Sequence, residues 1–333
     1  MPMTDESKAG DTTTKNCVRI PRRKSMTELW ERVERLIGAE NLGRLSEKKV
    51  AVVGLGSGGG FVALGLAMSG VGAFVLVDSD VLEAGNVTRH VCDLRDVGRN
   101  KAKAVADLIM NRNPEALVET RDGAIEDHWD CLDDVDILVA AVDGEQVKFS
   151  INEQCLERRL SASYAGVYER GEGGDHVIIR PYDGPCYACW SEATRDGVKV
   201  AMSPGGELDY GMIGETGTLE AEPGLWVNVT KVAGIQTDLI INELLRGADA
   251  HEEMPANTLI VTNTYMDIFE GQENDPHSGV WIDIGRDADC LVCGERLKQG
   301  VSLLVEGDEG SISLADLAAS GLTTDIEFED EDG

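Results

Sequence analysis

Long apolar runs are missing from this chain. Nowhere do roughly eighteen consecutive apolar residues occur, so no segment qualifies as a membrane-spanning helix and no membrane association is expected. The opening stretch MPMTDESKAGDTTTKN is polar and lacks the apolar centre that a secretory signal requires. Basic residues are scarce: 30 Lys and Arg stand against 61 Asp and Glu, a formal net charge of −31. Nucleic-acid binding rests on a basic surface, so the charge argues against that class. It suits a basic partner, plain solubility or a salt-adapted source. The five histidines show no ligand spacing, and no internal repeat is visible. Eight cysteines do not make a secreted disulfide scaffold in a chain of 333 residues. A reduced, cytoplasmic protein is the expectation.

The length allows a sizeable core, in one large α/β domain or two smaller ones. Residues 1–24 read as a flexible tail ending in RIPRRK. Residues 26–45 have helical spacing broken at Gly38. From Lys49, apolar strands (KVAVVG, AFVLVD, ALVETR, VDILVAAVD) alternate with helical stretches near 58–70, 98–114 and 145–159. That alternation predicts an α/β fold with a doubly wound, Rossmann-like, mostly parallel sheet. The second half predicts antiparallel strands that continue it: two in SASYAGVYERGEGGDHVIIRP, others in NTLIVTNTYMDIF and SGVWIDIG. Residues 191–222 read as loop, and LWVNVTKVAGIQTDLIINELLRG as a helix with a terminal Gly. Residues 301–333 hold ten acidic residues and no Lys or Arg, the mark of a disordered or docking extension.

Gly54, Gly56 and Gly59 form G-x-G-x-x-G between a strand and a helix. Positions without side chains permit a tight turn and close approach of backbone to phosphate, and the helix N-terminus favours negative charge. Asp78 ends the second strand, where a carboxylate can accept both ribose hydroxyls. The motif alone does not separate NAD from ATP. The following segment, VDSDVLEAGNVTRHVCDLRDVGRNKAKA, carries Asp80, Asn86, Arg89 and Lys101. Cations there suit a polyphosphate whose charge must be neutralised, whereas a redox site wants a flat apolar slot for nicotinamide. His90 reads as a satisfied polar residue beside this site.

Two C-x-x-C pairs, Cys186/Cys189 and Cys290/Cys293, can present four thiolates to one zinc ion with no open position, which makes a structural site. Redox dithiols are the alternative. Cys92, Cys131 and Cys155 read as packing residues, and Cys17 lies in the tail.

The order DSD, NVTR, GRNKA resembles the ubiquitin-activating-enzyme superfamily, also called the ThiF/MoeB/HesA family, over residues 26–295. The resemblance implies that Asp78 holds the ATP ribose and that Asn86, Arg89 and Lys101 contact phosphates. It implies Asp143 near Mg²⁺, in the family's D-N-x-x-x-R-x-x-x-N, where this chain departs with Gly144 and Lys148. It implies an Arg reaching the γ-phosphate from the partner of a homodimer, here Arg32, with Arg35 second. The cysteine pairs match the family's structural zinc. The loop GMIGETGTLEAEPG falls where the family covers the modifier tail, and its glycines suit a mobile cover. Many members carry a nucleophilic Cys after the first pair, yet residues 190–289 contain none. The implied organisation is an adenylation domain over 25–300, with an ATP-binding half at 46–160 and a zinc- and modifier-binding half at 161–300. The implied reaction is adenylation of the C-terminal Gly carboxylate of a ubiquitin-like modifier or sulfur-carrier protein, with release of pyrophosphate. It would serve bacterial-type conjugation beside a ubiquitin-conjugating-type enzyme, or sulfur transfer. The other classes are a catalytically weak scaffold subunit and, less favoured by the cations after Asp78, an NAD-dependent oxidoreductase.

Overall fold

A computed structural model describes residues 24–195, 224–269 and 272–294. The N-terminal tail with Cys17, nearly all of the expected cover loop and the acidic extension lie outside the described residues. In chain order the elements are α1 (Lys24–Ile37), α2 (Ala39–Ser46), β1 (Lys49–Val53), α3 (Ser57–Met68), β2 (Ala73–Val77), α4 (Lys101–Arg112), β3 (Leu117–Arg121), β4 (Ile137–Ala140), α5 (Glu145–Arg158), β5 (Ser161–Val167), β6 (Gly173–Ile179), α6 (Tyr187–Arg195), α7 (Trp226–Leu244), β7 (Thr258–Thr262), β8 (Met266–Phe269), β9 (Gln272–Asn274) and β10 (Gly279–Ile282). Gly38, at φ +85°, separates the first two helices where the sequence shows the break.

Eight strands form one sheet in the order β10-β7-β6-β5-β4-β1-β2-β3. The run from β3 to β5 is parallel, and β5-β6, β6-β7 and β7-β10 are antiparallel. The expected parallel sheet with an antiparallel continuation is therefore what forms. Its central strands bury both faces, which is why β1, β2 and β4 read as unbroken apolar runs rather than alternating ones. Val50, Val52, Phe74, Leu76, Ile137 and Val139 pack with α3, α4 and α7 on one side. Ala51, Val53, Val75, Val77, Leu138 and Ala140 pack with α5 and α6 on the other. Helix α3 is apolar nearly all round because it lies between the sheet and α7. The Arg180 guanidinium donates twice to the Glu243 carboxylate, at 3.0 and 2.7 Å, and pins α7 to the end of β6.

One expectation needs correction. The stretch 191–222 does not begin as loop, because Ser191–Arg195 completes helix α6. The helix forms around the first cysteine pair and is held by Tyr187 and Trp190, both buried against α5 and the sheet.

Candidate nucleotide-binding site

The glycine loop follows β1, whose neighbours β2 and β4 lie on opposite sides, so the loop opens at the crevice where strand order reverses. The glycines divide into two kinds. Gly54 has φ +88°, and a Cβ there would strike the Ala141 carbonyl. A Cβ on Gly59 would strike the Gly54 carbonyl and stand 2.8 Å from Ala141 Cβ. These two let loop, helix and β4 approach. Gly56 and Gly58 are different, for a Cβ on either would meet no protein atom within 4 Å. Their bareness serves no packing within the chain, and Gly56 caps α3 with no side chain over the helix start. The result is an open cradle at a helix N-terminus, the arrangement that receives a phosphate.

Asp78 is buried at the end of β2. Its Oδ2 accepts from Leu55 N at 2.5 Å and its Oδ1 from Asp80 N at 2.8 Å. Burial raises the pKa of this carboxyl, and the two backbone donors and the Lys101 ammonium oppose that rise. Leu55 is held from its other side by His90. The Cys92 N–H donates to His90 Nδ1 at 3.0 Å, so the proton of the neutral ring belongs on Nε2, which donates to Leu55 O at 2.6 Å. Burial lowers the His90 pKa and favours this neutral form. His90 is thus the satisfied polar residue expected, and it has a specific structural role. It fixes the carbonyl of the loop residue whose N–H Asp78 fixes.

Asn100 was not singled out by the sequence. Its Nδ2 donates to Asp78 O at 2.9 Å and to Asp122 Oδ1 at 3.1 Å, while its Oδ1 caps α4 by accepting from Lys103 N. The signal was available, since an Asn immediately before KAKA is a helix N-cap. Lys101, the first residue of α4, extends its ammonium to Asp80 Oδ2 at 2.6 Å, and its backbone N–H donates to Asp80 O at 2.8 Å. Asn86 and Arg89 lie in a 3-10 turn, Ala84–Arg89, where Asn86 Oδ1 accepts from Glu83 N. Asp143 is exposed two residues beyond Ala141, the residue that abuts Gly54 and Gly59. Gly54, Gly56, Gly59, Asp78, Asp80 and Lys101 therefore share one sheet edge, with Asp143 beside them after β4. Arg32 is exposed on α1, and Arg35 pairs with Glu31 one helical turn away.

The two cysteine pairs meet. Their sulfurs stand 3.7 Å apart for Cys186–Cys189, 3.8 Å for Cys186–Cys290 and 3.5 Å for Cys189–Cys293, and all four lie within 4.8 Å of one another. Four thiolates at about 2.3 Å around a tetrahedral zinc have sulfurs about 3.8 Å apart, so the cluster offers the donor set for that ion at close to its spacing. The sequence did not announce that the Tyr182 ring packs against the guanidinium groups of Arg159 and Arg286, and Arg286 also donates to Cys293 O. Among the described residues the remaining thiols, those of Cys92, Cys131 and Cys155, are buried. Burial pushes Cys92 and Cys155 up to about 12 and Cys131 up to about 11. None of the three is a poised nucleophile.

Among the described residues, no helix is long and apolar enough to cross a membrane. The SAMP-activating enzyme E1 of Haloferax volcanii is 32% identical over 190 residues, 56% of this chain and 68% of that protein. The ubiquitin-like modifier-activating enzyme 5 of Drosophila ananassae is 32% identical over 160 residues. That match spans 44% of this chain and only 40% of the insect protein. Among solved structures, E. coli MccB with ATP superposes with a TM-score of 0.57 at 20% identity, covering 82% of this chain and 75% of that one. E. coli MccB with MccA-N7isoASN gives 0.59 at 21%, covering 80% and 75%. At those identities the likeness is one of fold. The ThiF family model matches residues 31–278, three-quarters of the chain, and with the glycine cradle and the DSD, NVTR and GRNKA segments in place, this protein belongs to the ThiF family.

Proposed function

We propose that this protein is an ATP-dependent adenylyltransferase that activates the C-terminal Gly carboxylate of a ubiquitin-like modifier or sulfur-carrier protein. The observation that carries the reading is Lys101. Its ammonium is held by Asp80 on the same sheet edge as the open Gly56–Gly58 cradle and Asp78. A nicotinamide site has no use for a cation there, whereas a polyphosphate does. The relatives named as modifier-activating enzymes support the same reading.

In this mechanism the substrate carboxylate attacks the α-phosphorus of ATP, the bond to the bridging oxygen breaks, and pyrophosphate leaves. A modifier acyl-adenylate remains bound. Gly54, Gly56 and Gly59 shape the seat for the nucleotide, and Asp78 orients the ribose. Asn86, Arg89 and Lys101 stabilise phosphate charge, joined by Arg32 of the second copy in a homodimer. Mg²⁺ bound at Asp143 would neutralise further charge on the phosphates, and a carboxylate suits that hard cation. The chemistry is positioning and charge stabilisation with no protein nucleophile. Burial of Cys92, Cys131 and Cys155 supports a chain that stops at the adenylate and hands it to another protein's nucleophile, such as a ubiquitin-conjugating-type enzyme or a sulfur donor. The cysteine cluster would hold a structural Zn²⁺, and residues 25–300 would be the adenylation domain of a cytoplasmic enzyme.

The test is ATP–pyrophosphate exchange with Mg²⁺ across a panel of ubiquitin-like proteins ending in Gly, alongside Lys101→Ala and Asp143→Ala. Modifier-dependent exchange that both substitutions abolish is expected. A protein that binds neither ATP nor any modifier would be a scaffold subunit, and tight NAD(H) binding without exchange would make it an oxidoreductase.

A further inference from the structure

We infer that Tyr187, the residue inside the first cysteine pair, is a positioning residue for Asp143 and acts through Glu145. The inference rests on the proposed role of Asp143 at Mg²⁺. Tyr187 follows Cys186 directly and is buried. Its ring stacks on Tyr164 at 4.4 Å and meets Phe149 edge-on at 5.4 Å. Its backbone N–H donates to Asn152 Oδ1, in the middle of α5, at 2.9 Å. Its hydroxyl donates to the Glu145 carboxylate, 3.0 and 3.1 Å from the two oxygens. Glu145 is the first residue of α5, Gly144 is the cap, and Asp143 comes just before. Lys148 adds an ammonium on Glu145 Oε1 at 2.8 Å. One residue of the cysteine-bearing helix thus grips α5 at its start and at its middle.

The segment from 141 to 145 hangs between two anchors. At one end Ala141 N donates to Val53 O at 2.8 Å, and Ala141 abuts Gly54 and Gly59. At the other end the anchor is the Tyr187–Glu145 contact. A phenylalanine would fill the aromatic stack as well as Tyr187 does, so packing does not account for the hydroxyl. Helix start needs do not account for it either, since an acidic first-turn residue is favourable without a partner. The cradle and Asp78, by contrast, are built from β1, β2, α3 and His90, and their hydrogen bonds involve neither α5 nor α6. The cysteine-bearing helix therefore sets the Mg²⁺ ligand without setting the ribose and cradle contacts.

Tyr187→Phe, Glu145→Ala and Glu145→Gln separate the two halves. Three quantities are read: bound zinc per chain, AMP affinity without Mg²⁺, and the Mg²⁺ concentration at half-maximal ATP binding, with Asp143→Ala as the reference for a lost ligand. Tyr187→Phe is expected to keep its zinc and its AMP affinity. It should need about tenfold more Mg²⁺, the equivalent of one hydrogen bond to a charged group. Glu145→Ala should match it, the double variant should be no worse than either single one, and Glu145→Gln should recover part of the loss. Unchanged Mg²⁺ dependence in Tyr187→Phe overturns the inference. So does a joint loss of zinc and AMP binding, which would make the hydroxyl purely structural. Should the unaltered protein bind ATP with no Mg²⁺ dependence that Asp143→Ala removes, the reading of Asp143 fails first and the inference with it.

Discussion

Replacing Gly56 or Gly59 by Ala adds the same methyl group with opposite consequences. At Gly59 the methyl would overlap the Gly54 carbonyl and press on Ala141 Cβ at 2.8 Å. Both obstacles belong to the loop and strand that form the crevice, so the backbone must yield. Forcing a methyl into filled space costs about 1–3 kcal/mol, while removing a helix glycine returns about 0.5–1 kcal/mol. Because the obstacle is backbone rather than a swinging side chain, a net loss near 2 kcal/mol is expected by the same scale. At Gly56 the methyl meets no protein atom within 4 Å. Only the change of cap residue is felt, at most about 1 kcal/mol. But that methyl stands in the cradle, where it would lift a phosphate off the helix start. Losing one hydrogen bond to a charged oxygen is worth about 1.5–3 kcal/mol, or ten- to hundredfold in affinity. Urea unfolding and calorimetric titration with ATP, run on both variants, check the pair. Gly59→Ala should be the unstable one, and Gly56→Ala the stable one that binds ATP about ten- to hundredfold more weakly. Normal ATP affinity in Gly56→Ala would refute the cradle, and wild-type stability in Gly59→Ala would refute the packing argument.

Three further outcomes are expected. His176 is buried on β6 with neither ring nitrogen partnered among the described residues, and burial pushes it down to about 4. The folded state therefore refuses a proton that the unfolded chain accepts below about 6.5, so stability falls with acid between those values by up to about 3 kcal/mol. His176→Leu should flatten that slope in urea midpoints between pH 7 and 4.5, compared at each pH because Asp175, pushed up to about 6 by burial, contributes a slope of the opposite sign. The proposed zinc site predicts one zinc per chain that Cys186→Ser loses, with a lower melting temperature that no longer responds to chelator; an unchanged melting curve would show that the cluster binds nothing of consequence. Maleimide at pH 8 should leave Cys92 and Cys155 unlabelled in the native protein, and a modifier adduct on either that reducing agent removes would end the reading in which the chain stops at the adenylate.

Much of the fold was legible because its signals are local. KVAVVG and AFVLVD announce strands buried on both faces, Gly38 and Pro114 mark helix limits, and the glycine loop has only one sensible place between strand and helix. Helix α6 was missed because the nine residues YACWSEATR run straight into the Gly-, Glu- and Ser-rich stretch read as loop, and the helix is fixed by tertiary packing of Tyr187 and Trp190. The candidate site was legible residue by residue where a motif supplied the spacing. It was opaque where the contact crosses the chain: His90 reaches Leu55 over 35 residues, Asn100 reaches Asp78 over 22, and Tyr187 reaches Glu145 over 42. Nothing in the primary order of those residues says which backbone group each will meet.

The distance along the chain between the two cysteine pairs has a consequence for how the molecule is made. Cys186 and Cys290 are 104 residues apart. During synthesis, the strands from β1 to β5 can pair before the second pair of cysteines exists. A clasp over a loop of that length removes about 4–5 kcal/mol of unfolded-chain entropy in the cross-link model, and metal ligation shares that term. The expected order of folding is strands β1 to β5 first and the cysteine cluster last. Refolding from denaturant should show a late phase that accelerates with zinc and vanishes in Cys290→Ser, while the early phase proceeds unaltered. A nascent chain released before residue 290 would carry the nucleotide seat with the end of its sheet unfastened.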